Sequence, residues 1–453
     1  MSRAEDTICA PATSAGGAIC VIRVSGSGCF AAVDAVVRMR RGSAASAKGF
    51  SVHFGEVEGL DEVLVCVFRA PQSYTGEDMA EISCHASPYV VSELLRRLGA
   101  AGCRMAGPGE FTRRAFTAGK MDLAQAEAVA DLIAASSQAA HKLAFSQLRG
   151  HYSQRLRELR QQIIELGALM ELELDFSEEE VEFADRGRLE LLAREALGQI
   201  ERLADSFRLG NAFKRGIPVA IVGPVNSGKS TLLNALLGEE RALVSDIPGT
   251  TRDTVEEVLV LGGVAYRFID TAGLRQTAET VEKMGIERSL EQIGKASIVL
   301  VLLDASAPVA ELAGVVADVR ARLREDCRAI WVRSKSDIGG PDFASELGLE
   351  GLISISAKTG EGLTELRDAI CAGARQDLLA ADGLLVTNQR HQQALLRAAE
   401  DLRRFLDGLS TALPTDLLAE DLRSATAALG TIFGEVTPDD VLGEVFGRFC
   451  IGK

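Results

Sequence analysis

The chain has no C-x-x-C pair, although nine cysteines are scattered through its 453 residues. An odd, unpatterned set of thiols gives no zinc signature and suits a reducing compartment. No apolar run approaches the roughly 18–20 residues that cross a membrane. No apolar signal core opens the sequence, because Arg3, Glu5 and Asp6 come early. An excess of basic charge is also missing: 49 Lys and Arg face 64 Asp and Glu, for a net charge of −15. That balance excludes a generally basic nucleic-acid coat. A nucleic-acid partner would need a local patch, or a second protein supplying the charge. Arg113-Arg114, Arg155/Arg157/Arg160 and Arg403-Arg404 are candidates for the patch, or simply solvated helix faces. The expectation is a soluble cytoplasmic protein without a membrane partner, long enough for about three domains.

The central third carries a dense set of motifs. Gly223-Pro224-Val225-Asn226-Ser227-Gly228-Lys229-Ser230 follows the P-loop pattern G-x-x-x-x-G-K-S. An apolar, β-branched stretch, Ile217 to Val222, precedes it, and Thr231 to Leu237 continues as a helix. Strand, Gly-rich loop and helix in that order let backbone N–H groups and the helix end hold phosphates. Lys229 would reach the β/γ-phosphates and the Ser230 hydroxyl would ligand Mg²⁺.

Further motifs arrive in the order of a GTP-binding switch protein. Gly249-Thr250-Thr251-Arg252-Asp253 reads as a first switch with Thr251 placed for Mg²⁺. Leu259 to Leu261 and Ala265 to Ile269 read as strands around Gly262-Gly263, delivering Asp270-Thr271-Ala272-Gly273. Strands Ile298 to Leu303, Ala329 to Val332 and Leu352 to Ile355 follow, the last two leading to Ser334-Lys335-Ser336-Asp337 and Ser356-Ala357-Lys358. Strands alternating with helices imply a doubly wound sheet with ligand at the strands' carboxyl ends, in a domain of about 160 residues.

Asp337 would accept the N1–H and N2–H of guanine. The usual motif there is Asn-Lys-x-Asp, and Ser334 stands in place of Asn. That replacement loses an amide expected to contact the base and brace the P-loop, at about 1 kcal/mol. Weaker nucleotide binding with guanine preference kept is expected. Leu274 stands where small signalling GTPases often carry a water-orienting Gln. Glu282 is a candidate for holding that water, or a solvated charge at a helix start.

Residues up to about 120 mix strands (Ala18 to Val24, Leu64 to Arg69) with a helix (Tyr89 to Leu98), an α+β pattern. From Leu123 the pattern turns helical. Leu156, Leu159, Ile163, Leu166 and Met170 form one stripe. The stripe returns after the central domain at Leu395, Ala399, Leu402, Leu406 and Leu409, and again at Leu418, Leu422, Ala425, Leu429 and Ile432. Such stripes suit a single bundle or a subunit contact. The fold class expected is multidomain α/β: an N-terminal α+β domain (1–120), an all-α helical bundle in two parts (121–215 and 376–453), and an inserted Ras-like P-loop G domain (216–375).

The whole length resembles the MnmE (TrmE) family of tRNA-modifying GTPases. The marks are Asn226 in the P-loop, the Gly-Thr-Thr-Arg-Asp switch, and the tail Phe449-Cys450-Ile451-Gly452-Lys453. Further marks are Asp6-Thr7-Ile8, Ile22-Arg23-Val24-Ser25-Gly26, Ser73-Tyr74-Thr75-Gly76-Glu77-Asp78, Gly107-Pro108-Gly109-Glu110-Phe111-Thr112 and Lys120 to Ala128. The resemblance implies a homodimer whose G domains pair around K⁺. By motif position, K⁺ falls to Asn226, Ser245, Ile247 and Thr250, and the nucleotide-facing loop runs Ser245-Asp246-Ile247-Pro248-Gly249-Thr250. Glu282 takes the family's catalytic position. Arg252 and Arg275 would steady the switches or the dimer, or be surface charges.

The family also implies a folate, 5-formyl- or methylene-tetrahydrofolate, in the N-terminal domain, met by Arg23, Glu81, Lys120 and Lys453. A carboxylate such as Glu81 can clasp the amidine-like edge of a pterin. Ordinary ion pairs are the other reading of these charges. The family's Ala-Thr-Pro-x-Gly-x-Gly entry appears here as Ala12-Thr13-Ser14-Ala15-Gly16-Gly17-Ala18, without the proline, so an altered pocket rim is expected. Cys450 matches a cysteine the family needs for modification, although a free Cys is often an inert apolar filler. The implied partners are the flavoprotein MnmG (GidA), in a heterotetramer, and tRNA. The rival readings are a ribosome-assembly GTPase and a scaffold with a weakened nucleotide site.

Overall fold

A computed structural model describes residues 6–13, 16–175, 186–238, 257–269, 292–340, 342–380, 384–411, 413–435, 439–447 and 449–453. The chain divides into two compact units, one of residues 1–130, 147–196 and 400–453, the other of residues 131–146 and 197–399. Among the described residues no helix is long and apolar enough to cross a membrane.

The first unit contains a seven-stranded sheet. Its strands are β1 (Thr7–Pro11), β2 (Ile19–Ser25), β3 (Arg38–Met39), β4 (Ser51–Val57), β5 (Asp61–Phe68), β6 (Met79–His85) and β7 (Cys103–Met105), in the order β3-β4-β5-β6-β2-β1-β7. Only the β1–β7 pair is parallel. Alternation drives the packing: Val63, Val65 and Val67 of β5 are buried while Glu62 and Leu64 face out. The buried face packs under the helices Cys29–Val36 and Pro88–Ala100, where Leu94 and Leu98 are fully enclosed. The β2–β6 register sets Arg23 directly opposite Glu81.

The motifs Asp6-Thr7-Ile8, Ser73 to Asp78 and Gly107 to Thr112 meet in space through two arginines. Arg114 pairs with Asp6 at 2.7 Å, Glu77 at 3.1 Å and Glu110 at 3.4 Å. Arg104 pairs with Asp6 at 2.8 Å and Glu110 at 2.7 Å. Other residues of the basic clusters have acidic partners as well. Arg114 is enclosed by carboxylates, Arg157 bonds Asp122 at 2.6 Å, Arg160 pairs with Glu435 at 2.9 Å and Arg404 pairs with Asp421 at 3.0 Å.

Helix His151–Asp175 packs on helix Thr415–Phe433. Leu156, Leu159 and Ile163 of the first and Ala425, Leu429 and Ile432 of the second are fully buried, so these stripes form a core. Arg160 adds a bond to the Thr426 carbonyl at 3.3 Å. Phe446, in helix Asp439–Gly447, and Phe449, just after it, pack with Leu123 and Ala126.

The second unit contains β8 (Ile217–Val222), β9 (Glu257–Leu261), β10 (Val264–Phe268), β11 (Ile298–Asp304), β12 (Arg328–Ser334) and β13 (Ile353–Ser354), in the order β13-β12-β11-β8-β10-β9. All neighbours are parallel except the β9–β10 hairpin. One face packs on helices Lys229–Gly238 and Leu363–Ala380, the other on Val309–Arg320, and Val299 to Leu303 are buried throughout. Continuous apolar strands covered on both faces are what a parallel sheet requires.

Two outcomes follow. Leu159→Ala should cost about 2–5 kcal/mol, the range for a leucine removed from a closed core, read as a lower urea midpoint; an unchanged midpoint contradicts the helix pairing. The bonds from Arg104 outweigh burial at Asp6. At Glu110 burial pushes the carboxyl up, but Arg104 and the Gly107 N–H overcome it. Both carboxyls therefore ionise below their ordinary 3.8 and 4.5. Their stabilisation is complete above that range and is lost as pH falls through the lower folded values. The urea midpoint should drop as pH falls below about 5, and Arg104→Met should flatten the drop; an equal slope in the variant contradicts it.

Candidate functional site

The carboxyl ends of β8, β11, β12 and β13 face one edge of the second unit. After β8 the chain turns sharply at Gly223, where a side chain has no room: a Cβ would stand 2.5 Å from the Leu302 carbonyl. Asn226 follows at φ 63°, exposed at the loop, a conformation asparagine tolerates. Helix Lys229–Gly238 then starts, with the Leu232 N–H bonded to Gly228 O at 2.8 Å. Lys229 Nζ arches back over the loop to Gly223 O at 2.9 Å and Pro224 O at 2.6 Å. Burial alone pushes its pKa down. Ser230 and Thr231 lie in the first turn of the helix, where free N–H groups and the dipole favour an anion.

Ser334 ends β12 and is buried. Its hydroxyl donates to the Ser227 carbonyl at 2.7 Å, with Leu303 O at 3.3 Å. The expectation that Ser334 loses the P-loop brace is therefore corrected: the hydroxyl keeps the loop tied to β12. Lys335 sits at φ 59° and its amine holds Asp304 at the end of β11 at 2.6 Å. Burial pushes the Asp304 carboxyl up, but the bonds from Lys335 and Ser306 hold it below the ordinary range. Asp337 is exposed in the short 3₁₀ turn Ser336–Ile338. The Ser336 N–H bonds to Ile355 O at 3.0 Å, which brings the turn beside Ser356, Ala357 and Lys358. The buried Ser356 hydroxyl accepts from the Thr359 N–H at 3.2 Å.

Ser245, Asp246, Ile247, Pro248, Gly249, Thr250, Thr251 and Arg252 lie outside the described residues, as do Asp270, Thr271, Ala272, Gly273, Leu274, Arg275 and Glu282. Among the described residues no cluster of His, Cys, Asp and Glu could hold a metal ion.

The first unit has its own concave feature, a cavity of about 470 Å³. Glu81 and Lys120 line it with Gln72, Ser73 and Tyr74, and Phe50, Phe68 and Met79 form its apolar wall. Glu81 is paired with Arg23 at 2.8 Å, and Lys120 Nζ donates to Pro71 O at 2.9 Å. The tail closes nearby: Ile451 bridges Pro108, and Gly452 O accepts from Arg23 at 3.2 Å. The Lys453 N–H bonds to Cys450 O at 3.3 Å, and the Cys450 side chain is exposed. Within the altered entry segment, Ser14 and Ala15 lie outside the described residues, while Thr13 Oγ1 accepts from the Val21 N–H at 3.1 Å.

A model of the MnmE helical domain matches residues 123–450, and one of the GTP-binding protein TrmE N-terminus matches residues 7–120. The tRNA modification GTPase MnmE of Bacteroides fragilis is 45% identical over 464 residues, covering 99% of this chain and 100% of that protein. The protein of the same name from Parabacteroides distasonis is 45% identical over 460 residues, with 99% and 100% covered. The chain belongs to the MnmE family of GTPases. The solved G domain of the T. maritima FeoB iron transporter aligns with 36% of this chain and 97% of its own at 24% identity and a TM-score of 0.25. The assignment to the MnmE family rests on the sequence matches and not on that likeness.

Some residues at these sites escaped sequence reasoning. Phe50, Phe68 and Met79 carry no motif; the β5–β6 register pairs Phe68 with Met79, and Phe50 stands just before β4. Arg114 had a usable signal, since it lies four residues after Glu110 on helix Glu110–Thr117.

Removing the Ser334 hydroxyl leaves the Ser227 carbonyl without that donor. Ser334→Ala should weaken GDP binding about fivefold, the equivalent of about 1 kcal/mol, with guanine still preferred over adenine. Titration with a fluorescent GDP analogue measures this; unchanged affinity contradicts the brace.

Proposed function

We propose that the chain hydrolyses GTP in a K⁺-dependent manner and, with the flavoprotein MnmG, modifies C5 of the wobble uridine of certain tRNAs. The product would carry a carboxymethylaminomethyl or aminomethyl group. The near full-length similarity to tRNA modification GTPases carries this reading. The arrangement of the P-loop supports it.

Lys229 and the N–H groups at the start of its helix bind the phosphates, and Asp337 selects guanine. Ser230 and Thr251 would hold Mg²⁺, and Asn226, Ser245, Ile247 and Thr250 would hold K⁺. Exposed Asn226 and Ser230 in the first helical turn present oxygens of the kind both ions accept. These ions supply positive charge where the transferring phosphoryl group develops negative charge. Glu282 orients the attacking water. Pairing of two copies' G domains closes the site, and its opening after hydrolysis times the modification.

At the other end of the chain, Arg23, Glu81, Lys120 and Lys453 would hold a tetrahydrofolate. The cavity suits a planar ring with hydrogen-bond donors, since Phe50, Phe68 and Met79 line it together with the Glu81 carboxylate. The folate supplies the one-carbon unit. Cys450 acts on the uracil, where addition of a thiolate to C6 makes C5 nucleophilic.

A ribosome-assembly GTPase would account for the P-loop domain alone and leave residues 7–120 and the tail unexplained. The scaffold alternative leaned on Ser334, whose hydroxyl retains the brace. GTP hydrolysis in matched KCl and NaCl tests the proposal. Potassium should raise the rate about tenfold or more, and Asn226→Ala should abolish the difference. Equal rates in both salts contradict it.

A further inference from the structure

Arg23 divides its guanidinium between two parts of the first unit. Its Nε and Nη2 both donate to one oxygen of Glu81, Oε1, at 3.0 and 2.8 Å. Its Nη1 donates to the Gly452 carbonyl at 3.2 Å. The Tyr74 and Phe111 rings lie 5.3 and 5.5 Å from its Cζ, and its side chain is only 15% exposed. Arg23 is therefore fixed from four directions, and two of its neighbours, Glu81 and Tyr74, line the cavity.

Gly452 is fixed on the tail side. It sits at φ +96°, and a Cβ there would stand 2.0 Å from Pro11 O. Ile451 is bridged to Pro108, and the Cys450 carbonyl accepts from the Gly109 N–H at 3.5 Å. One arginine thus spans the short path between the cavity wall and the segment that displays Cys450.

We propose that occupancy of the cavity holds the Cys450 segment closed, and that Arg23 transmits the effect as a positioning residue. The inference rests on the folate reading above. Among the described residues no donor reaches Oε2 of Glu81, so paired N–H groups of a ligand can take that oxygen without displacing Arg23. A ligand there restrains the Glu81 carboxylate. The restrained carboxylate restrains Arg23, and Arg23 restrains Gly452. Only a rigid fork serves both acceptors at once; a lysine ammonium is a single point on a flexible stem. The coupling is reciprocal, so a closed segment must strengthen ligand binding by the same factor.

The test is amide hydrogen exchange in the full chain, with and without saturating 5-formyltetrahydrofolate, read at the Gly109 and Lys453 N–H groups that bond to the Cys450 carbonyl. Cys450 is exposed with the segment in place, so exchange and not thiol reactivity reports closure. The ligand should slow exchange at both amides about fivefold. Arg23→Lys should remove that protection at ligand concentrations that calorimetry shows to be saturating. Gly452→Ala leaves Arg23, Glu81 and the cavity walls in place. It should also remove the protection, and weaken ligand binding by the same factor. An unchanged or faster rate in the liganded wild type overturns the proposal, as does protection that survives both substitutions. Absence of any calorimetric binding overturns the folate reading, and this inference with it.

Discussion

Helix His151–Asp175 lies against helix Thr415–Phe433, and the rest of the first unit depends on that contact. The Arg160 bond to Thr426 O closes a loop of chain 266 residues long. The long, continuous burial of two apolar stripes meets that entropic cost, which grows only slowly with loop length. With the two helices paired, the last residues return to the N-terminal sheet. Phe446 and Phe449 seat beside Leu123, and the tail reaches Pro108, Pro11 and Arg23. The exposed cysteine and the cavity belong to one unit because of this pairing.

The second unit solves a different problem. Its strand order puts β8 and β12 on either side of β11, so the P-loop and the Ser336–Ile338 turn rise from the same edge. Two interactions tie that edge together: Ser334 to the Ser227 carbonyl, and Lys335 to Asp304. Both are largely shielded from solvent, where a hydrogen bond is worth more than on an open surface. The short Ser334 side chain reaches the loop carbonyl directly. The motif is altered in residue type, and the loop is still tied to β12.

Much of this was legible in the sequence. The strands of the second unit announced themselves as apolar runs, and the P-loop flanks located the nucleotide edge to within a residue or two: Ile217 to Val222 is the observed β8. The helix stripes predicted their own burial, because periodicity and burial share one cause. What could not be read was pairing between distant residues. Arg23 and Glu81 are each conspicuous, yet only the β2–β6 register makes them partners. The partners of the basic clusters were hidden for the same reason, since Arg114, Arg157 and Arg160 meet carboxylates far away in sequence. The Ser334 replacement looked like a loss because sequence shows which atoms are missing and not which remaining atoms can reach.

The account joins a GTPase edge in one unit and a cavity with a nearby cysteine in the other into a single tRNA-modifying enzyme. Nucleoside mass spectrometry of tRNA tests that union most directly, in a bacterium that lacks its own family member and expresses this chain. The account predicts that the wild-type chain restores C5-substituted uridine at the wobble position and that Cys450→Ser does not. Unmodified wobble uridine, in cells where the wild-type chain is present and hydrolyses GTP, would contradict it.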